Sequence, residues 1–239
     1  MGNENGEWIM HGIPATDSRC LHTPEDVIAL VNAVGYLPLF RVGPAGFSLE
    51  ERTESRWWWS GDAEHDPWEW RAILARSGKV AYAKFFDNKA GFVSLAELPH
   101  FVNMRRDGYD FDALFDDGKA SDRERKLMRL FADGGELYSF ELKSGAGFGK
   151  NGESNFEGTV TALQMQTYLT VRDFRPRRNK HGEPYGWAVA VYTTPEAIWG
   201  YDAVTAAYGE PPEQSRRHVY EKVRENFSMN DKTIRKLLR

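Results

Sequence analysis

The chain has 239 residues, 41% hydrophobic and 28% charged, enough for one large or two small cores without covalent staples. Its net charge of -4 excludes a protein that coats nucleic acid indiscriminately, and its single cysteine, Cys20, excludes an internal disulfide framework and a thiolate metal cage. No apolar stretch reaches the roughly 20 residues of a spanning helix, and no signal-peptide pattern opens the chain, so the expectation is a cytoplasmic protein with no membrane partner.

Residues 1–22 are polar and without clear period, and read as a loose N-terminal arm that packs in part through Trp8 and Ile9. Thr23-Pro24-Glu25-Asp26 then supplies a cap, a proline at the first helical position and early acids, followed by Val27, Ile28, Leu30, Val31 and Val34 at helical spacing. Gly35 closes that helix, and a loop with Gly43, Pro44 and Gly46 leads to Trp57-Trp58-Trp59. Asp66-Pro67 starts a second helix by the same logic, and Gly78 ends it. Val80 to Phe86 and Gly91 to Val93 are β-rich runs joined by Asp87-Asn88-Lys89-Ala90, the composition of a hairpin. Ser94 and Glu97 have capping-box spacing, which predicts a helix to about Arg106, and a short helix is expected from Asp110 to Phe115.

In the second half, Ser121 with Glu124 is another capping box, opening a helix with Leu127, Met128, Leu130 and Phe131 on its apolar face and stopping at Gly134-Gly135. A second helix is predicted over Glu136 to Lys143, then a Gly-rich loop over 144–152, and a third helix from Phe156 to Tyr168. Strands over Leu169 to Phe174 and Tyr185 to Tyr192 flank a polar loop, Pro176 to Pro184. Three helices and then a two-stranded ribbon is the winged-helix order, in which the third helix enters the major groove and the ribbon lies against the backbone. The predicted class is therefore α+β and mainly helical, built of winged-helix units packed together. Its parts are an arm (1–22), a helical unit with a hairpin (23–118), a winged-helix unit (119–194) and C-terminal helices (195–239) with a break at Pro211-Pro212. No repeat of fixed period exists, but the two halves read as loosely related helix-and-hairpin units.

Arg172, Arg175, Arg177, Arg178, Lys180 and His181 form the densest basic run outside the C-terminus, interrupted by Asp173. The plain reading is a solvated hairpin loop. Its place at the turn of the expected wing favours contact with DNA phosphates. On the third helix, Gln164 and Gln166 could bond adenine in the major groove, although the helix has no arginine for strong base readout, so shape or lesion recognition suits it better. Residues 145–150 lack the Gly-Lys-Ser/Thr ending of a phosphate loop and read as a connector, with Lys150 able to touch backbone. Adjacent Trp57, Trp58 and Trp59 cannot all face one core, so at least one is expected to line a cleft, where it could stack on an extruded base, or else to wedge neighbouring helices. Asp62, Glu64 and Asp66 would be the natural acids of such a pocket, although Asp66 is more simply a helix cap. The six histidines are scattered without metal-ligand spacing, so no metal site is predicted. The basic residues from Arg216 to Arg239 are interleaved with acids, and read as an ordinary exposed helix.

The Trp57-Trp58-Trp59 run, Asp66-Pro67-Trp68-Glu69-Trp70, Tyr82-Ala83-Lys84-Phe85-Phe86 with Gly91-Phe92-Val93-Ser94, and the segment Gln164 to Tyr192 together resemble the AlkZ and YcaQ group of bacterial winged-helix DNA glycosylases. More specifically, the chain looks like the short AlkZ-related proteins, over about residues 23–200. The resemblance implies an array of winged-helix units presenting a concave surface to double-stranded DNA, in a group whose larger members excise alkylated or crosslinked purines without a cofactor. Those enzymes carry a Gln-apolar-Gln or Gln-apolar-Asp motif, and the matching place here is Pro38-Leu39-Phe40, where the polar pair is missing. Gln164-Met165-Gln166 matches by letter, but residues two apart on a helix project about 200° from one another and could not converge on one sugar. The expectation is thus a protein that recognises duplex or damaged DNA without the usual catalytic motif. An active glycosylase using Asp62, Glu64 or Asp66 is one alternative, and a module binding a small molecule or protein is the other.

Overall fold

The computed structural model describes residues 9–43, 45–227 and 229–238, so Trp8, Pro44 and Arg239 lie outside it. Helix α1 (Pro24–Val34) begins in a reciprocal capping box between Thr23 and Asp26 and ends at Gly35, whose φ of 86° turns the chain straight into strand β1 (Tyr36–Pro38). Two short 3-10 turns, Glu50–Arg52 and Ser55–Trp57, precede α2 (Pro67–Ser77), capped by Asp66 and closed by left-handed Gly78. Strands β2 (Val80–Phe86) and β3 (Lys89–Ser94) form a hairpin on a two-residue turn in which Asp87 and Asn88 both have positive φ, 47° and 64°, a conformation that matches the twist of the strands. The sheet order is β1-β3-β2, antiparallel throughout, with Tyr36 opposite Val93 and Pro38 opposite Gly91. Helices α3 (Leu98–Arg106) and α4 (Phe111–Asp116) follow. Helix α3 starts later than the Ser94–Glu97 spacing predicts, because the Glu97 carboxylate accepts from Tyr36 and meets His218 instead of turning back to residue 94.

The second half begins with α5 (Asp122–Met128), capped as predicted by Ser121 and Glu124 and extended by a 3-10 turn at Arg129–Phe131. Residues 137–138 then form a strand, β4 (Leu137–Tyr138), where the sequence predicts helix. Two residues are too few for a periodic signal, and the strand exists because β6 pairs with it, Leu137 opposite Tyr192. Helices α6 (Ser139–Gly145) and α7 (Phe156–Met165) lead to the long hairpin of β5 (Thr170–Arg178) and β6 (Pro184–Thr193). Here the sheet order is β4-β6-β5. The protein is thus α+β, with two antiparallel three-stranded sheets that share one connectivity: the strand after the first helix pairs with the last strand of the hairpin. Helices α8 (Pro195–Trp199), α9 (Tyr201–Val204), α10 (Pro212–Asn226) and α11 (Asp231–Leu237) complete the chain, with α10 starting at the Pro211-Pro212 break.

One apolar cluster runs through both halves, joining Val27, Leu37, Trp70, Tyr82 and Phe92 to Leu127, Leu142, Val160, Leu163 and Tyr192. A second places Phe85, Phe86, Phe101 and Val102 against Val219, Val223, Ile234 and Leu237, so the C-terminal helices seal the outer side of the first sheet. Packing between the halves is reciprocal. Helix α7 lies on β2, and α2 lies on β5. Arg106, 3% exposed, locks this arrangement: it donates to the Thr167 carbonyl at 2.8 Å and hydroxyl at 3.2 Å, pairs with Glu196 at 2.6 Å, and lies over the Tyr168 ring. The N-terminal arm is not loose over its described part. His11, Gly12, Ile13, Ala15 and Leu21 donate backbone bonds to the segment 50–55, and Cys20 is buried.

Candidate nucleic-acid interface

The six basic residues of the predicted wing divide into two groups. Strands β5 and β6 continue further than the sequence indicates, leaving only residues 179–183 as the turn, which Asn179 closes by accepting from the amides of His181 and Glu183. At the base of the hairpin, Arg172 pairs with Glu136 at 3.2 Å and donates to the carbonyls of Ala75 and Arg76, while Arg175 pairs with Glu136 and with Asp173, both at 2.7 Å. Asp173, which in the sequence merely interrupts the run, is buried and also accepts from Arg76 and from the Phe174 amide. Its hydrogen bond holds the Arg175 guanidinium above its ordinary pKa. Arg172 and Arg175 therefore join the hairpin to α2, and their charges are already satisfied. At the tip, Arg177, Arg178, Lys180 and His181 are exposed. Arg177 lies 5.2 Å over the ring of Phe140, and Arg178 donates to the Gly182 carbonyl at 2.6 Å. Among the described residues, no carboxylate lies within ion-pair distance of these four side chains, which leaves the charges of Arg177, Arg178 and Lys180 available to phosphate oxygens.

Helix α7 is not presented to solvent as a groove-reading helix. Phe156, Thr159, Val160, Leu163 and Gln164 are buried, and the exposed positions are Glu157 and Gly158. Gln164 is 1% exposed: its Oε1 accepts from the Lys84 amide at 3.1 Å and its Nε2 donates to the Val160 carbonyl. Lys84 in turn donates to Thr161. Gln164 is thus the peg between the two halves, and the expected base contact is corrected by its burial. Gln166, at the end of the helix, donates to Glu124 at 3.3 Å. The two amides do not meet, as the helical geometry predicts. Lys150 is exposed in the turn after Gly149, which is closed by backbone bonds from Gly149 to Glu153 and from Glu153 to Gly147.

The three tryptophans take three different environments. Trp58 is buried and donates its indole N–H to Thr53 at 3.0 Å. Trp57 is half-buried between the rings of His22 and His65. Trp59, 47% exposed, has a φ of 59°, a conformation rare for a bulky residue, and its ring lies against Phe40 and Trp68. Asp66 explains that backbone: it is 1% exposed and accepts from the amides of Trp59, Gly61 and Trp68. With its oxygens so occupied, Asp66 is a loop organiser, which corrects its place among the candidate catalytic acids. Asp62 and Glu64 are exposed beside His65, and the three offer ligand atoms within 4.8 Å of one another, a grouping that a search for histidine spacing misses. The bond from His65 holds the Asp62 carboxyl below its usual range. In Pro38-Leu39-Phe40, Leu39 is buried and Phe40 packs on Trp58, Trp59 and Trp68, so this segment contributes to an aromatic wall.

Three features were not legible as functional or structural groups in the sequence. Arg71 lies between the rings of Trp68 (3.2 Å) and Phe174 (4.2 Å), bridging the halves, and burial lowers its pKa. Glu50 is buried and accepts from the amides of His11 and Arg41, which fixes the arm and the loop around the first sheet. Trp187 on β6 is 89% exposed and Tyr185 51% exposed; their alternating strand pattern resembled an ordinary half-buried strand.

The architecture defines an α+β protein of two interlocked helix-and-hairpin units with one hairpin left basic and open. The AlkZ-related family model matches residues 21–239, and the chain belongs to that family. No curated protein and no solved structure matches it. The family ties the chain to DNA-glycosylase-like proteins, and among the described residues no helix is long and apolar enough to cross a membrane.

Proposed function

We propose that this protein binds duplex DNA, intact or damaged, by laying the β5–β6 hairpin along it, and that it does so as two units in tandem, a helical unit with a hairpin (23–118) and a winged-helix unit (119–194), without base excision. The observation that carries the reading is the cluster of three cations without a carboxylate partner, Arg177, Arg178 and Lys180, beside exposed His181 at the tip of a protruding hairpin on a chain of net charge -4. Such a tip neutralises phosphates locally on a chain whose net charge is negative, which suits directed docking over general coating. The common strand order, β1-β3-β2 and β4-β6-β5, supports the tandem plan. The aromatic wall at Leu39 and Phe40, and the full occupation of Asp66 by backbone donors, support the loss of catalysis. Because α7 is packed between the halves, recognition rests on the hairpin and on DNA shape more than on a helix in the major groove.

The test is fluorescence anisotropy with a short duplex across a salt series, comparing the wild type with an Arg177→Glu, Arg178→Glu, Lys180→Glu variant. Loss of three phosphate contacts lowers the slope of log affinity against log salt by about 2.7. Equal slopes, or no wild-type binding at low salt, sink the proposal. Incubation with alkylated duplex is expected to release no free base, and release would restore the glycosylase reading.

A further inference from the structure

Trp187 is the most solvent-open large apolar side chain among the described residues, at 89%. Its position follows from a break in the hairpin ladder. Arg175 pairs with Val189 and Arg177 with Tyr185, so one residue of β5, Pro176, faces three of β6: Gly186, Trp187 and Ala188. Proline has no N–H to continue the ladder, and Gly186, at a φ of 70°, supplies the left-handed step that an outward loop requires. The bulge thus carries the indole clear of the sheet, with every residue from Pro184 to Ala188 exposed around it.

The surroundings narrow the partner. Trp187 emerges on the same hairpin arm as the free cations Arg177 and Arg178, which pair across the ladder with Tyr185 and Pro184, and Tyr185 is itself 51% exposed. A docking surface for another protein would continue into a wider apolar patch, and a lipid anchor would have apolar neighbours at the same level. Here the apolar surface is a few separate aromatic planes, Trp187 with Tyr185 beside it and Phe140 beneath Arg177, interleaved with guanidinium groups. A nucleic acid offers the matching combination, flat apolar base faces flanked by phosphates.

We propose that Trp187 is a stacking wedge, whose indole enters a duplex at a site where a base is missing or has left the stack and takes up the vacant stacking face. The partner class is therefore duplex DNA with an unstacked or absent base, and the bulge delivers the ring while Arg177 and Arg178 hold the flanking phosphates. Insertion at an intact step requires unstacking of a base pair, whereas insertion at a gap does not, so the wedge produces preference for the damaged duplex. This rests on the reading that the hairpin lies on DNA.

The experiment compares the wild type, Trp187→Phe and Trp187→Ala on two duplexes, one intact and one with a tetrahydrofuran abasic analogue, by anisotropy and by tryptophan emission. Wild type is expected to prefer the abasic duplex by about tenfold, in keeping with the stacking of one base. Trp187→Ala should collapse that preference to near unity, and Trp187→Phe should retain most of it. The wild type should also show emission quenching on the abasic duplex that Trp187→Ala lacks. Salt-dependent wild-type binding with no preference, or a preference that survives Trp187→Ala, overturns the wedge and leaves the DNA reading in place. Absence of binding to both duplexes removes both. Self-association or vesicle binding that depends on Trp187 while abasic preference does not would assign the ring to another partner and overturn the wedge.

Discussion

The hairpins β2–β3 and β5–β6 hold the same place in their halves, yet one is spent on the fold and the other is left to the solvent. The first closes on a two-residue turn, and its strands are buried on both faces, against α7 on one side and against α3 and the C-terminal helices on the other. The second extends past the body of the molecule, has a five-residue turn between its strands, and carries exposed residues from Arg177 through Ala188. The difference lies in side chains. Val, Ala, Tyr and Phe along β2 need cover, whereas the arginines, Lys180 and Glu183 around the second turn are most stable in water. One connectivity can therefore serve either as an internal clamp or as a surface arm, and the composition of the hairpin decides which.

Charge reversal should separate the two most sharply. The triple variant at Arg177, Arg178 and Lys180 is expected to abolish most DNA affinity at moderate salt, whereas Lys89→Glu, at the exposed turn of the first hairpin, should change it less than about twofold. A comparable loss from Lys89→Glu in the anisotropy assay would show that both hairpins touch DNA. Next comes the lock between the halves. Arg106→Met leaves Glu196 and the Thr167 carbonyl without their partner, and should cost about 3 kcal/mol, read as a fall in Tm of about 6–12 °C. A fall of under 2 °C would mean that α7 is held in place without it.

Glycine substitutions sharpen the contrast. A Cβ at Gly91 would lie 2.7 Å from the Pro38 Cα and against the Phe86 ring, so Gly91→Ala should destabilise by about 2–3 kcal/mol in urea unfolding. Gly186 has open space around it and only the positive φ to oppose a side chain, so Gly186→Ala should cost about 1 kcal/mol. The reverse ranking would show that the bulge, not the first hairpin, is the tightly packed element. On DNA binding the smallest effect is expected at Gln164: Gln164→Leu leaves the Lys84 amide unsatisfied, for a stability loss of about 1–2 kcal/mol, with DNA affinity of the folded protein unchanged. A specific loss of DNA affinity would put α7 back in the groove.

Local chemistry made much of this fold legible in the sequence. The caps at Thr23, Asp66 and Ser121, the stops at Gly35 and Gly78, the two hairpins and the proline start of α10 are each set by residues within a few positions of one another, and all are present. The basic run was also visible, as was the impossibility of three adjacent tryptophans sharing one core. What tertiary structure alone decided concerns partners distant along the chain. Gln164 is a peg because Lys84 meets it from 80 residues away, and Arg172 is structural because the carbonyl of Ala75, 97 residues away, accepts from it. Asp173 became a hub instead of an interruption, β4 formed only because β6 was there to pair with it, and Trp187 was exposed by a ladder break that depends on which residues face each other across two strands. The sequence by itself determined which segments curl, extend and turn, since backbone preference and capping are short-range. Which polar side chains remain free to act was settled by long-range contacts, since a charge or an amide is available to a ligand only when the fold has not already satisfied it.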